Sequence, residues 1–175
     1  ARVDFNSYYG LQVQDQFYDV LNADQYVAYL RDLHSGPDGE LPPAFDGTQP
    51  PHNTNWQEEL FGNSPAPIQN HNLSISGGNQ NANFSLGLEY FDQEGTMVGT
   101  GFDRFSIRAN SDYKIGERIK VGETLLLSKT NRLNYAGAGG SQPLEHAIKQ
   151  APTVPVYDDT FLNGFGFPDA DEGQD

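Results

Sequence analysis

From His71 to Ser128 the chain alternates apolar and polar residues in four successive runs. In the first, Leu73 and Ile75 oppose Asn72, Ser74 and Ser76. In the second, Phe84, Leu86, Leu88 and Tyr90 oppose Asn83, Ser85, Gly87 and Glu89. In the third, Phe105, Ile107 and Ala109 oppose Arg104, Ser106, Arg108 and Asn110. In the fourth, Ile119, Val121, Leu125 and Leu127 oppose Lys120, Gly122, Thr124 and Ser128. A period of two residues marks strands with one apolar and one polar face. Upstream, Val3, Phe5, Ser7, Tyr9 and Leu11 alternate with Asp4, Asn6, Tyr8 and Gly10. The pattern predicts strands over 2–13, 71–77, 83–92, 103–113 and 119–130.

The links at 77–82 and 114–118 are short and hold residues that tolerate positive φ or close on themselves, Gly and Asn in the first and Gly116 in the second. Antiparallel neighbours joined in this way form a meander. The polar face carries Asn, Ser and Gly with a few Arg, which suits a wet lumen as well as an open surface. Polar-in, apolar-out alternation with aromatics near the strand ends is the pattern of an outer-membrane barrel wall.

The period changes outside the strands. Tyr26, Tyr29, Leu30 and Leu33 share one helical face, and Asn22 with Gln25 forms a capping box, so a helix is expected over 22–34. Residues 35–55 are rich in Pro, Gly, Asp and Asn and read as a surface loop. Residues 55–61 make a short helix with Trp56, Leu60 and Phe61 on its apolar edge. Residues 143–150 form a third helix with Pro143 in its first turn, after a glycine-rich hinge at 134–141. The prolines of 152–156 hold that stretch extended.

Composition narrows the function. The chain has 175 residues, no cysteine and a formal net charge of -14. Thiolate metal sites and disulfides are excluded, and nucleic-acid binding, which needs a basic stripe, is disfavoured. No apolar run approaches the ~20 residues of a membrane helix. The start lacks a basic-then-apolar leader and lies inside the first strand pattern, so the natural N-terminus is expected to have been removed or to lie upstream of Ala1. The acidity gathers toward the C-terminus, as in a solvated loop.

The candidate chemistry is thin. Glu58 with Glu59, Asp158 with Asp159, and Asp169 with Asp171 are paired carboxylates, but adjacent side chains in loops do not hold the separation that a glycosidase needs. His34, His52, His71 and His146 lack metal-ligand spacing. Asp158, Asp159, Asp169, Asp171 and Glu172 offer oxygens to calcium but not in EF-hand order, so calcium is not favoured and no cofactor is expected. Arg104 and Arg108 share the polar face, where they can meet anions or pair with Glu89; the pairing is the preferred reading. Trp56 reads as loop packing, with a sugar-stacking platform as the lesser alternative.

Several motifs then occur in a meaningful order. Leu21–Tyr26, Trp56–Phe61, Gln69–Gly78, Leu88–Gly95, Phe102–Asn110, Lys120–Leu125 and Ala151–Asp158 follow one another, and together they resemble the SusC/RagA family of TonB-linked outer-membrane transporters of Bacteroidota. The resemblance covers the chain to about Asp158 and corresponds to the segment just after the plug. It implies a partial barrel domain spanning 1–175: about five antiparallel strands of a transmembrane wall, mainly β, with short helices in long extracellular loops at 14–70 and 131–175. The turns at 77–82 and 114–118 would be periplasmic. The implied role is import of a glycan or peptide oligomer, with no catalysis. Partners would be a SusD-like lipoprotein lid on the extracellular loops, outer-membrane lipid, and TonB through parts outside this sequence. Trp56, Phe61 and Tyr157 are the possible anchors for the lid. Glu123 departs from the pattern, lying on the apolar face; either it sits toward the periplasmic border or a bulge turns Leu126 outward. The alternative function is a soluble, acidic, β-rich ligand-binding module of the cell envelope.

Overall fold

Three tight turns organise the meander. At Asn79–Asn81 the Asn79 carboxamide accepts the backbone N–H groups of Asn81 and Ala82 at 2.8 and 3.0 Å. Gly99 and Gly116 take positive φ angles of 73° and 63°, which a side chain would resist. The computed structural model describes residues 1–33, 52–134, 142–159 and 164–166. Residues Ala1–Asp15 with Phe61–Ala136 make one unit, and Gln16–Leu60 with Gly137–Asp175 make a second.

The first unit is one antiparallel sheet of five strands in sequential order: β1 Arg2–Gln12, β2 Ala66–Gly78, β3 Ala82–Glu94, β4 Gly101–Ile115 and β5 Ile119–Leu133. All five expected strands are present. The strands from β2 onward are longer than predicted, and β2 begins at Ala66 rather than residue 71. The early part of β2, Pro67–Asn70, lacks alternation, yet it pairs with β1 from Leu11 back to Tyr8. Neighbouring backbone imposed the strand there, not local pattern.

Residues paired directly across antiparallel strands point to the same side. Two rows cross all five strands: Val3–Ile75–Leu86–Ala109–Leu125 and Phe5–Leu73–Leu88–Ile107–Leu127. Phe84, Leu86, Leu88, Tyr90, Phe105 and Ile107 therefore share one face, as the alternation predicted. The register of β4 with β5 is continuous from Gly101↔Leu133 to Ile115↔Ile119, so no bulge is present. Leu126 consequently stays on the polar face, opposite Arg108, and Glu123 stays on the apolar one, opposite Ser111.

No side chain of β3, β4 or β5 is buried among the described residues. Phe5 is 65% exposed, Leu127 54% and Phe84 48%. Burying one such side chain stabilises by roughly 1.5–3 kcal/mol, so an uncovered row of them is a face that another phase or partner must cover.

The second unit holds α1 Ala23–Leu33, α2 Trp56–Leu60 and α3 Pro143–Lys149. The capping box forms as expected: Gln25 N–H donates to Asn22 Oδ1 at 2.9 Å, and Asn22 N–H donates to Gln25 Oε1 at 3.0 Å. The buried face of α1 is rotated from the expected one. Ala23, Val27 and Leu30 are buried with Tyr26 packed beside them, whereas Tyr29 and Leu33 are exposed. Small Ala23 permits close approach, which the count of large apolar residues overlooked. His34, most of the 35–55 loop and most of the 134–141 hinge lie outside the described residues.

Candidate functional site

The functional surfaces are the two faces of the sheet and the loop elements of the second unit. On the apolar face the band has a defined border. From β2 to β5 one end carries the row Gln69–Asp92–Asp103–Asn131. There the Gln69 amide donates to Asp92 at 2.9 Å and the Asn131 amide to Asp103 at 2.8 Å. The next row inward is Ser7–His71–Tyr90–Phe105–Lys129. Its His71 and Tyr90 rings stack with centroids 6.3 Å apart, and the Ser7 hydroxyl lies 2.7 Å from His71 Nδ1. Amphipathic rings between a polar row and an apolar band are what a membrane–water interface selects.

The band runs diagonally. On β1 its apolar residues extend from Val3 to Leu11, and on β5 from Ile119 to Leu127. Followed through the register, its centre slides about six residues across four strand spacings, roughly 20 Å along for 19 Å across. A band kept at constant depth then requires strands tilted by about 45°, within the range of transmembrane barrels. Along β5 this centres the band near Glu123, so the carboxylate is flanked by Val121 and Leu125 instead of lying beyond the apolar run. The Ser111 hydroxyl donates to Glu123 Oε1 at 2.8 Å and meets part of its hydrogen-bonding demand.

The opposite face is hydrophilic and concave. Asn72, Ser74, Glu89, Arg104, Arg108 and Ser128 line a hollow of about 410 Å³ on it. Arg104 Nη2 lies 3.2 Å from both oxygens of Glu89, which realises the expected pairing. Arg108 makes no such contact among the described residues, so only one of the two arginines is paired. Curvature toward the polar side is what a wall around a wet lumen needs.

The possible anchors fall in different places. Phe61 opens the chain's return toward β2 in the first unit and is half-buried. Trp56 begins α2 in the second, half-buried, with its indole N–H donating to the Ala151 carbonyl at 2.9 Å. Tyr157 is 72% exposed and packs against Phe165 at 5.7 Å. The preferred packing reading of Trp56 fits that hydrogen bond. Sequence reasoning missed Gln57, which is 2% exposed. Its side chain accepts from Tyr18 N–H and donates to Tyr18 C=O, both at 2.9 Å, closing the loop as a strand partner would.

Among the described residues no group of three or more His, Cys, Asp or Glu is placed to hold a metal ion. Asp158 and Asp159 are described, whereas Asp169, Asp171 and Glu172 lie outside the described residues. Glu145 is held below the usual carboxylate range, first by its hydrogen bond from Lys149 and then by that residue's charge. Among the described residues no helix is long and apolar enough to cross a membrane, which leaves open a crossing by strands.

Fold and faces define a stretch of outer-membrane β-barrel wall. No protein-family model matches the chain. It is 29% identical over 173 residues to the TonB-dependent receptor P3 of Formosa agariphila, covering 94% of this chain and 16% of that protein. It is 31% identical over 158 residues to the TonB-dependent receptor SusC of Bacteroides thetaiotaomicron, covering 89% of this chain and 14% of that one. A chain in the structure of the RagAB peptide importer in its 'closed-closed' state superposes with a TM-score of 0.66 at 21% identity, over 94% of this chain and 21% of that chain. Over nearly its whole length, then, the chain matches a segment of SusC-type TonB-dependent receptors, and it spans about one-sixth of the length of the curated relatives it matches.

Proposed function

We propose that this chain forms part of the barrel wall of a TonB-dependent transporter that imports a nutrient, a glycan or peptide oligomer, across the outer membrane. The observation that carries the reading is the diagonal apolar band on consecutive strands, with a concave hydrophilic face behind it. A soluble binding module would need a second sheet over Phe5, Leu73, Leu88, Ile107 and Leu127, and no described residue supplies one. Catalysis has no support from the carboxylates: adjacent side chains such as Glu58 and Glu59 do not hold the separation that a glycosidase needs.

The short turns at 79–81 and 116–118 would face the periplasm and the long loops the exterior, following the usual asymmetry of short inner turns and long outer loops. The loops would receive a SusD-like lipoprotein lid, with Tyr157 the most available anchor and Trp56 and Phe61 secondary. Energy coupling through TonB belongs to parts of the protein outside this sequence.

Deleting the gene in its host should abolish uptake of the imported oligomer, and collapsing the proton gradient should do the same. Uptake that survives both would refute transport. Deleting residues 160–172 and purifying by a tag on the barrel tests the lid. Undiminished lid recovery with normal uptake would reduce that acidic stretch to a solvated loop.

A further inference from the structure

The second unit contains a cleft that the wall function does not use. It encloses about 430 Å³ and is formed by residues from the stretch before α1, from α1, from the start of α2 and from the end of α3. That size is within the range of small-ligand sites. Trp56 and Tyr26 form its aromatic wall and Pro152 is part of its apolar lining.

The Trp56 ring is fixed. Its only polar atom is spent on the Ala151 carbonyl, and the 151–154 segment it bonds is buried throughout. The indole therefore presents hydrocarbon to the cleft without a hydrogen-bonding demand of its own. Thr54 is similarly committed, donating to the Val154 carbonyl at 2.7 Å.

The remaining polar groups are uncommitted. Among the described residues the Asp19 carboxylate and the Gln150 side-chain amide have no hydrogen-bond partner, and Gln25 uses its oxygen on Asn22 while its amide N–H groups stay unused. Lys149, the one cation at the cleft, is already paired with Glu145. A pinned aromatic face, one carboxylate and two amides give apolar contact beside mixed donors and acceptors, with no free positive charge.

We infer that this cleft binds a short stretch of a neutral oligosaccharide, whose apolar ring face lies on Trp56 and Tyr26 while its hydroxyl groups bond Asp19, Gln25 and Gln150. An anionic sugar would meet the Asp19 charge with nothing to offset it. A peptide that binds by strand addition needs an unpaired strand edge, and the helices and loops lining the cleft offer none. The inference rests on the import reading and narrows its substrate class.

The test uses the full-length protein. Binding is measured by isothermal titration with maltohexaose, cellohexaose, laminarihexaose and mannohexaose. A galacturonic-acid hexamer and an alanine–glycine hexapeptide are the controls. At least one neutral hexamer should bind, and Trp56→Ala should weaken it by about tenfold or more, the loss expected of a central aromatic contact. Because Trp56 also braces the 151–154 segment, Asp19→Asn and Gln150→Ala serve as second variants; neither side chain has a hydrogen-bond partner among the described residues, and each should weaken binding at least about threefold with unchanged thermal unfolding. Uptake of the same hexamer by cells separates the two readings. Loss of uptake on deleting the gene, with wild-type uptake and affinity in Asp19→Asn and Gln150→Ala, overturns the cleft while sparing import. Uptake unaffected by deletion overturns import itself. No binding of any neutral hexamer, or Trp56-dependent binding of the acidic hexamer or the peptide, overturns the assignment to neutral sugar.

Discussion

Placing an arginine on the band tests the depth profile directly. Leu86 lies on β3 between Ile75 and Ala109, within the row that crosses all five strands, and near the middle of the diagonal band. In the intact barrel Leu86→Arg would put a guanidinium close to mid-depth, where it costs about 2–4 kcal/mol. Asn131→Arg, in the polar border row beside Asp103 and beyond the apolar run of β5, should cost only about 0–1 kcal/mol, since the charge reaches the interface. Ser85 is next to Leu86 in the chain but faces the other way, opposite Ser76 and Asn110, so Ser85→Arg should stay within about 0.5 kcal/mol. The assay is reversible guanidinium unfolding of the full-length protein in lipid vesicles, one variant at a time. Equal penalties at residues 86 and 131, or a penalty at 85 as large as at 86, would refute both the face assignment and the tilt drawn from it.

Further outcomes follow from individual side chains. Glu123→Leu should stabilise the membrane-inserted protein by about 1 kcal/mol in the same assay, because it removes a carboxylate from the band and leaves Ser111 without its acceptor; a loss of stability would place Glu123 against a polar partner. Gln57→Leu strands the Tyr18 N–H and C=O and should cost about 2–4 kcal/mol, read as faster proteolysis and amide exchange in residues 16–33 with the strands unaffected. The lowered pKa of Glu145 means that its pairing contributes above the ordinary carboxylate range and is lost as pH falls through the lowered value. Amide exchange in α3 should therefore rise on acidification, and Glu145→Gln should abolish that rise.

Legibility tracked the physical source of each feature. The strands β3, β4 and β5 were readable because alternation is a local consequence of one wet and one apolar face, and Phe84–Tyr90 and Phe105–Ala109 keep strict period. The first residues of β2 were not, because Gln69 and Asn70 owe their extended backbone to β1 and not to their own side chains. The capping box of α1 was legible, being a local exchange of hydrogen bonds between Asn22 and Gln25. Its buried face was not, because the choice of Ala23, Val27 and Leu30 over Tyr29 depends on what packs against it. Arg104 found Glu89 as cross-strand spacing suggested, whereas Arg108 faces Leu126, a juxtaposition set by the β4–β5 register. The diagonal drift of the band needed that same register, since no single strand contains it. Gln57 and the cleft beside Trp56 needed the loops brought together: the sequence offers a sugar platform at Trp56 only as the lesser reading, and Gln57 carries no signal for its role.

The central claim is that the two faces of β3 meet different phases. Nitroxide labels at Leu86 and Ser85 of the full-length protein, reconstituted in vesicles, measure this by collision with oxygen, which concentrates in lipid, and with a water-soluble nickel chelate. The account predicts high oxygen and low nickel accessibility at residue 86 and the reverse at residue 85. Nickel access at both positions, or the opposite assignment, would contradict a barrel wall.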